Sequence, residues 1–212
     1  MDIIAHGLWA GAAVRLYNKK NKDKILDHKK PKISVWKTSF WAIFPDLVTF
    51  IPFVIWFVPQ YVFGTLTKSA LPRYIYAEEG VKEPFIYELT HALYTVTHSA
   101  VIFFCVVGLV WLWFIYCKKR RGTAINYVVF AQMAGWLSHI IIDIPTHTYA
   151  INATPVLWPI STWRFDGVSW EHPWFLALNY FAILITYAYI FQHKFRKKPE
   201  IVPVIEETEA TI

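Results

Sequence analysis

Charge is the scarcest thing in this sequence. Only 17% of its 212 residues are Asp, Glu, Lys or Arg, against roughly a quarter in soluble domains. Hydrophobic residues make up 56%, with 11 Trp, 12 Tyr and 16 Phe. So few charges cannot cover a water-soluble globule of 24.8 kDa, and a large lipid-facing exterior is the economical alternative. Cysteine is nearly missing too. Cys105 and Cys117 lie 12 residues apart in or beside one apolar segment, which suits neither a close metal pair nor a disulfide framework, so both read as apolar filler. The N-terminus, MDIIAHGLWAGAAVRLY, does not read as a secretory leader, because Asp2 stands where a basic n-region belongs and the apolar stretch is short. Internal repeats and low-complexity segments are lacking.

What charge there is comes in blocks. The formal net charge is +6, concentrated in KKNKDK and HKKPK between 19 and 32, KKRR at 118–121 and HKFRKK at 193–198. Basic blocks can bind nucleic acid. Here two of them abut apolar runs of spanning length, where they read as positive-inside flanks, and no nucleic-acid partner is expected.

Three runs have about the twenty residues a bilayer core requires: 97–117, 123–142 and 173–192, the last starting at a proline suited to a first helical position. Residues 38–66 are also apolar, but Pro45, Pro52 and Pro59 punctuate them. The expectation is a split: SVWKTSFWAIF as a short helix stopping near Pro45, and LVTFIPFVIWFVPQYVFG as a kinked, re-entrant or interfacial segment. A first helix is expected over 3–17, a short one at PFIYELTHALY, a loop over 148–172, and an extended or disordered tail over 199–212 after a single membrane-embedded domain of residues 1–198. The fold class predicted is all-α, a polytopic membrane helical bundle.

If the basic blocks are cytoplasmic, the helices alternate so that His6, Asp46, His98, His139 and Asp143 all fall at helix ends away from them. At 1.5 Å per residue, His6 to Arg15 is only about 14 Å and His98 to Lys118 about 30 Å, which predicts that the first two helices reach half-height. The segment HIIIDIPTH, 139–147, sharpens the reading. His139 and Asp143 are at i and i+4, on one helix face. Imidazole nitrogen with carboxylate oxygen suits zinc, and also iron or manganese, and an aspartate near hydrocarbon requires a cavity, a partner or a metal. Taken alone, the pair is equally an interfacial hydrogen-bonded helix end; His6 is an ordinary polar residue near a terminus, Asp46 a turn former, and His98 a capping or interfacial group beside Thr97 and Ser99. Pro145 is expected to end the helix and turn His147 toward the same cavity. His28 and His193 belong to the basic flanks.

The succession AH, IFPD, THS, HIIIDIPTH and LWP over roughly residues 1–191 resembles the YdjM-type membrane-bound metal-dependent hydrolases, themselves distantly similar to the all-helical zinc-dependent phospholipase C class. The resemblance implies a phospholipase-C-like arrangement of short and long helices. It also implies metal ligands at His6, Asp46, His98, His139 and Asp143. Where many relatives have a histidine five residues before the THS histidine, this chain has Leu93, and its nearest earlier histidine is His91. The resemblance further implies zinc-assisted hydrolysis of a phosphoester or other lipid-like, amphiphilic substrate, with His147, His91 and Glu171 as the candidates for proton transfer or phosphate contact. The expected location is the cell (inner) membrane, in contact with lipid, and the charge bias puts the site toward the outer side. Two other readings of the polar cluster stay open: a small transporter or channel for divalent ions or protons, and a non-catalytic assembly protein.

Overall fold

The structure is a computed structural model describing residues 1–65, 85–150 and 152–195. The tail at 199–212 and the first residue of the predicted PFIYELTHALY helix lie outside the described residues. The described residues form seven helices: α1 Ile3–Lys20, α2 Lys22–Leu26, α3 Val35–Val62, α4 Phe85–Thr97, α5 Ala100–Arg121, α6 Tyr127–Thr146 and α7 Pro173–Phe195. Four of them, α3, α5, α6 and α7 over Pro173–Gln192, are long and apolar enough to cross a membrane. Their outward side chains fit that role: Leu109, Leu112 and Trp113 on α5 and Leu178, Phe181 and Leu184 on α7 are all about 60% exposed or more. Water would penalise such a surface and lipid does not.

The ends of the elements follow local chemistry. Asp2 caps α1 through Ala5 N–H (2.9 Å), Ser34 begins α3 and Asn126 begins α6, all residue types that favour the N-cap. The KKRR block does not follow α5 but forms its last turn, ahead of Gly122 at φ 65°. Cations there complement the carbonyl end of the helix, and glycine takes the left-handed conformation without strain.

The long proline-bearing region differs most from expectation. It is a single 28-residue helix, α3, with Pro45, Pro52 and Pro59 inside it, so neither the stop near Pro45 nor the half-height second helix is found. At 1.5 Å per residue α3 is about 42 Å long, and Asp46 sits about 17 Å along it. A proline costs a helix one N–H and crowds the carbonyl a turn earlier. Neighbouring groups make use of the carbonyls around Pro45: the Ala42 carbonyl accepts from His139 Nδ1 (2.7 Å), and the Pro45 carbonyl accepts from Thr49 Oγ1 (2.9 Å) and Thr97 Oγ1 (3.4 Å). These bonds tie the turn around Pro45 to α6 and α4.

α3 is the spine. α1 runs antiparallel to it, tied by Ser39 Oγ donating to the Gly7 carbonyl (2.8 Å). α4 packs antiparallel on its far half through Phe53, Trp56 and Tyr87. α6 lies parallel to α3, so that Thr38 meets Gly135 and Ala42 meets His139 in step. α7 lies along α1, with Trp9 Nε1 donating to Asn179 Oδ1 (2.9 Å). An apolar cluster of Phe103, Met133, Trp136 and Ile140 fills the space between α5 and α6.

The α3–α6 approach depends on Gly135, where an added Cβ would lie 2.3 Å from the Thr38 carbonyl oxygen and 3.0 Å from Ala42 N. Gly135→Ala is therefore expected to destabilise the protein by about 1–3 kcal/mol through overpacking. Gly108→Ala, on α5 with open space around its Cβ position, is expected to be neutral or slightly stabilising. Thermal unfolding of both variants in one neutral detergent checks the contrast.

Candidate metal centre

Five side chains from four parts of the chain meet in one buried cluster. His6 comes from the second turn of α1, Asp46 from the middle of α3, His98 from the break between α4 and α5, and His139 and Asp143 from α6. Each is 5% exposed or less. The α4–α5 break is a built feature. Ser99 is the N-cap of α5, accepting from Ile102 N–H (3.2 Å), and its hydroxyl donates to the Trp158 carbonyl. Thr97 is not the cap; its hydroxyl binds the Leu93 carbonyl (2.8 Å) and Thr49 Oγ1 (3.2 Å).

Main-chain oxygens set the protonation of two imidazoles. His139 Nδ1 lies 2.7 Å from the Ala42 carbonyl and His98 Nδ1 lies 3.0 Å from the Tyr94 carbonyl. A carbonyl can only accept, so each Nδ1 carries a hydrogen and each neutral ring presents a bare Nε2 lone pair inward. Those two Nε2 atoms are 3.0 Å apart. Asp46 Oδ1 stands 3.4 Å from His98 Nε2 and 3.7 Å from His139 Nε2. Asp143 Oδ2 stands 3.5 Å and 3.1 Å from the same atoms. Four acceptor atoms thus converge where nothing among the described residues donates to all of them.

A proton on one ring would satisfy one such contact, whereas a divalent cation satisfies all four. The spacing agrees: ligands at the roughly 2.0–2.2 Å of zinc–nitrogen and zinc–oxygen bonds in tetrahedral array lie about 3.3–3.6 Å from one another. The Nδ1–carbonyl bonds are the outer partners that orient metal-bound histidines. The residues present therefore fit a metal ion. His98, His139 and Asp143 form one triad with metal-ligand spacing, and His6, Asp46 and His139 form another that shares His139.

His6 adds a separate indication. Its Nε2 is 2.9 Å from Asp143 Oδ1, yet both of its ring nitrogens are buried without a hydrogen-bond partner. The distance is short but the direction is wrong for a hydrogen bond, as for two ligands aimed at a common third point. Its ring stacks on His139 at 3.7 Å. Asp143 Oδ1 also receives the Met1 ammonium (2.5 Å), which reaches Thr146 Oγ1 (3.3 Å) as well. Asp143 is the hub: Oδ2 faces His98 and His139, and Oδ1 faces His6, Met1 and His147.

His147 borders the cluster. α6 continues through Pro145 to Thr146, one residue past the expected stop, and His147 is its C-cap in extended conformation. This turns the ring back beside Asp143, with Nδ1 3.2 Å from the Asp143 carbonyl and 3.5 Å from Oδ1. His91 is exposed on α4, about two turns before His98, and Glu171 is exposed at the end of the 148–172 segment, its N–H bound to Ser169 Oγ (3.3 Å). Neither belongs to the buried cluster.

The 148–172 segment is irregular, as expected, but it is bonded onto the site. Gly167, Val168 and Trp170 N–H groups donate to the carbonyls of His147, Pro145 and Thr146 at 2.8, 2.9 and 3.1 Å. A Cβ at Gly167 would lie 2.3 Å from the Pro145 oxygen, so only glycine permits this approach. Tyr94 was not singled out from the sequence, although its i, i+4 spacing to His98 was visible. It stacks on the His98 ring (3.9 Å) and its hydroxyl donates to the Asn152 carbonyl (2.7 Å). Burial keeps that phenol protonated.

Compared with protein-family models, with curated proteins and with solved structures, the chain has no match in any of the three.

Burial pushes the His147 imidazole down to about 4, and burial likewise lowers that of His98. Both are neutral at neutral pH, the form a metal requires. With the folded-state pKa below the 6.5 of a free imidazole, the unfolded chain binds the proton first. The contribution is intact above about pH 6.5 and is lost as pH falls toward about 4. In chelator-treated protein the unfolding midpoint is expected to drop across that window, and His147→Gln to flatten part of the slope while leaving the midpoint near pH 8 little changed.

Proposed function

We propose that this chain is a membrane-embedded, metal-dependent hydrolase acting on a phosphoester or other lipid-like substrate, with zinc as the metal. The observation that carries the reading is the inward convergence of His98 Nε2, His139 Nε2, Asp46 Oδ1 and Asp143 Oδ2, with the two imidazoles oriented by main-chain carbonyls. The YdjM-type motifs in the sequence support it, and the reading carries with it a phospholipase-C-like arrangement of short and long helices. The proposed setting is the cell membrane, with the basic helix ends cytoplasmic by the positive-inside tendency and the metal centre toward the outer side, where an amphiphilic substrate need not leave the bilayer.

His6, Asp46, His98, His139 and Asp143 would hold the metal, which when bound supplies Lewis-acid polarisation of a phosphoryl or acyl oxygen and acidifies water. The protein's own groups divide the remaining work. His147 donates from Nδ1 to the Asp143 carbonyl, which leaves Nε2 as a neutral proton acceptor at the border of the cluster. Tyr94, through its carbonyl and its ring, positions His98. His91 and Glu171, both exposed, would act on substrate from the solvent side.

A transport pathway would require polar groups continuing toward the basic end. The layer next to His139 in that direction holds Phe103, Met133 and Trp136, all buried, and its buried polar side chains are Thr38 and Gln132; the apolar layer favours hydrolysis over conduction.

Element-specific metal analysis of the purified chain is expected to find bound zinc, and the double change His139→Ala, Asp143→Ala to remove it. Chelation should lower the unfolding midpoint, since a ligand bound only by the folded state stabilises it. Hydrolysis of short-chain phosphoester lipids should fall in the double variant by more than the roughly 10–100-fold that loss of an orienting partner costs. Metal-free wild type, or liposome ion flux that requires His139 without any hydrolysis, would overturn the assignment.

A further inference from the structure

At the opposite end of the bundle, α1, α3 and α7 leave a cleft of about 760 Å³. Its polar walls are Arg15, Asn18, Lys19, Lys32 and Ser34, and its apolar walls include Trp36 and Phe191. Three cations thus share one cavity, and among the described residues none that lines it is acidic. The only carboxylate–lysine pair among the described residues is elsewhere, between Lys29 and Asp27. Like charges brought together without a counter-charge repel, so this arrangement is costly unless an anion joins it.

Two details give the cleft a direction. The Arg15 guanidinium lies over the Phe191 ring at 5.3 Å, and its Nε is buried without a hydrogen-bond partner. Lys19 Nζ lies over the Tyr189 ring at 4.9 Å. Aromatic faces hold both cations in place while taking none of their N–H donors. α3 also begins in this wall, so the positive end of a 28-residue helix adds to the same field. Asn18 is already spent, its amide bridging the main chain of Ile33 at 2.8 and 3.1 Å, and it braces the α3 approach.

We infer that this cleft is a binding site for a phosphate-bearing anion, separate from the metal centre and about 14 Å from His6 along α1. Guanidinium and ammonium groups around a helix start are the donors a phosphate selects. The adjoining Ile33, Val35, Trp36, Ile190 and Phe191 would accommodate the first carbons of an acyl chain, and Trp36, 84% exposed, is the amphipathic residue type that settles at headgroup level. Phosphate presented by a lipid headgroup and phosphate on a small soluble molecule share this chemistry.

Native mass spectrometry of the full chain in neutral detergent separates the two sources. The probes are short-chain phosphatidylglycerol, short-chain phosphatidylcholine and glycerol phosphate. Phosphatidylglycerol bound in preference to phosphatidylcholine, and more tightly than glycerol phosphate, identifies the lipid headgroup. Equal binding of phosphatidylglycerol and glycerol phosphate identifies the soluble anion. In either case Arg15→Gln should weaken binding about tenfold or more, the loss of one charge-assisted contact. The double variant Lys19→Gln, Lys32→Gln should do the same, and because both lysines are exposed it tests the site without touching packing. Bound zinc should be unchanged in both. Failure of the wild type to bind any anionic probe, or unaltered affinity in the double variant, would overturn the inference.

Discussion

Two imidazole N–H groups donating to two main-chain carbonyls determine the chemical character of the buried cluster. His139 Nδ1 on Ala42 and His98 Nδ1 on Tyr94 keep both rings in the tautomer whose lone pairs point inward. Rotate either ring and the two carboxylates would meet donors instead, and the cluster would become an ordinary buried hydrogen-bond network. The carbonyls themselves belong to helix turns that are locally unusual: the turn before Pro45 and the last turn of α4 before the break. The histidines take a main-chain acceptor at each of these two places, and the Tyr94 carbonyl also accepts from His98 N–H (2.9 Å). The same contacts pin α6 to α3 and the α4–α5 junction to its own helix end, so the site and the packing are one set of interactions.

Much of this was legible in the residues. Scarce charge and blocks of basic residues led to a helical membrane bundle because bilayer thickness and backbone satisfaction leave few other solutions. Placing helix ends by charge bias put His6, Asp46, His98, His139 and Asp143 at one level, and the structure gathers those five. The i, i+4 spacing of His139 and Asp143 needed only helix geometry. The continuity of α3 was not legible, because proline's local cost is a property of the chain, whereas the packing of α1, α4 and α6 along α3 is a property of the assembled bundle. Gly135 and Gly167 were silent for the same reason. Each matters because of a carbonyl supplied by a distant segment, and a single sequence does not reveal that encounter.

The length of α3 exceeds the half-height expected of it and adds to what surrounds the cluster. α3 runs about 24 Å past Asp46, and α4 packs on that extension, so the cluster is covered on that side too. A shallow site would share its carboxylates with water. Here Asp143 is 1% exposed, so its negative charge must be balanced by neighbours or by a cation, and low effective dielectric strengthens either interaction.

The segment that roofs the centre is held by main-chain bonds, from Gly167, Val168 and Trp170 to the carbonyls of residues 145–147. Apart from Gly167, those attachments ask nothing of side-chain identity. Tyr149 adds a side-chain tie, its hydroxyl donating to the Arg164 carbonyl (2.9 Å), whereas Trp163 and Phe165, both exposed on this segment, are free to differ without moving the roof. The buried His/Asp cluster and the outer surface of this segment are mechanically joined yet independent in composition, so that surface could be redrawn while the geometry of the cluster stays as it is.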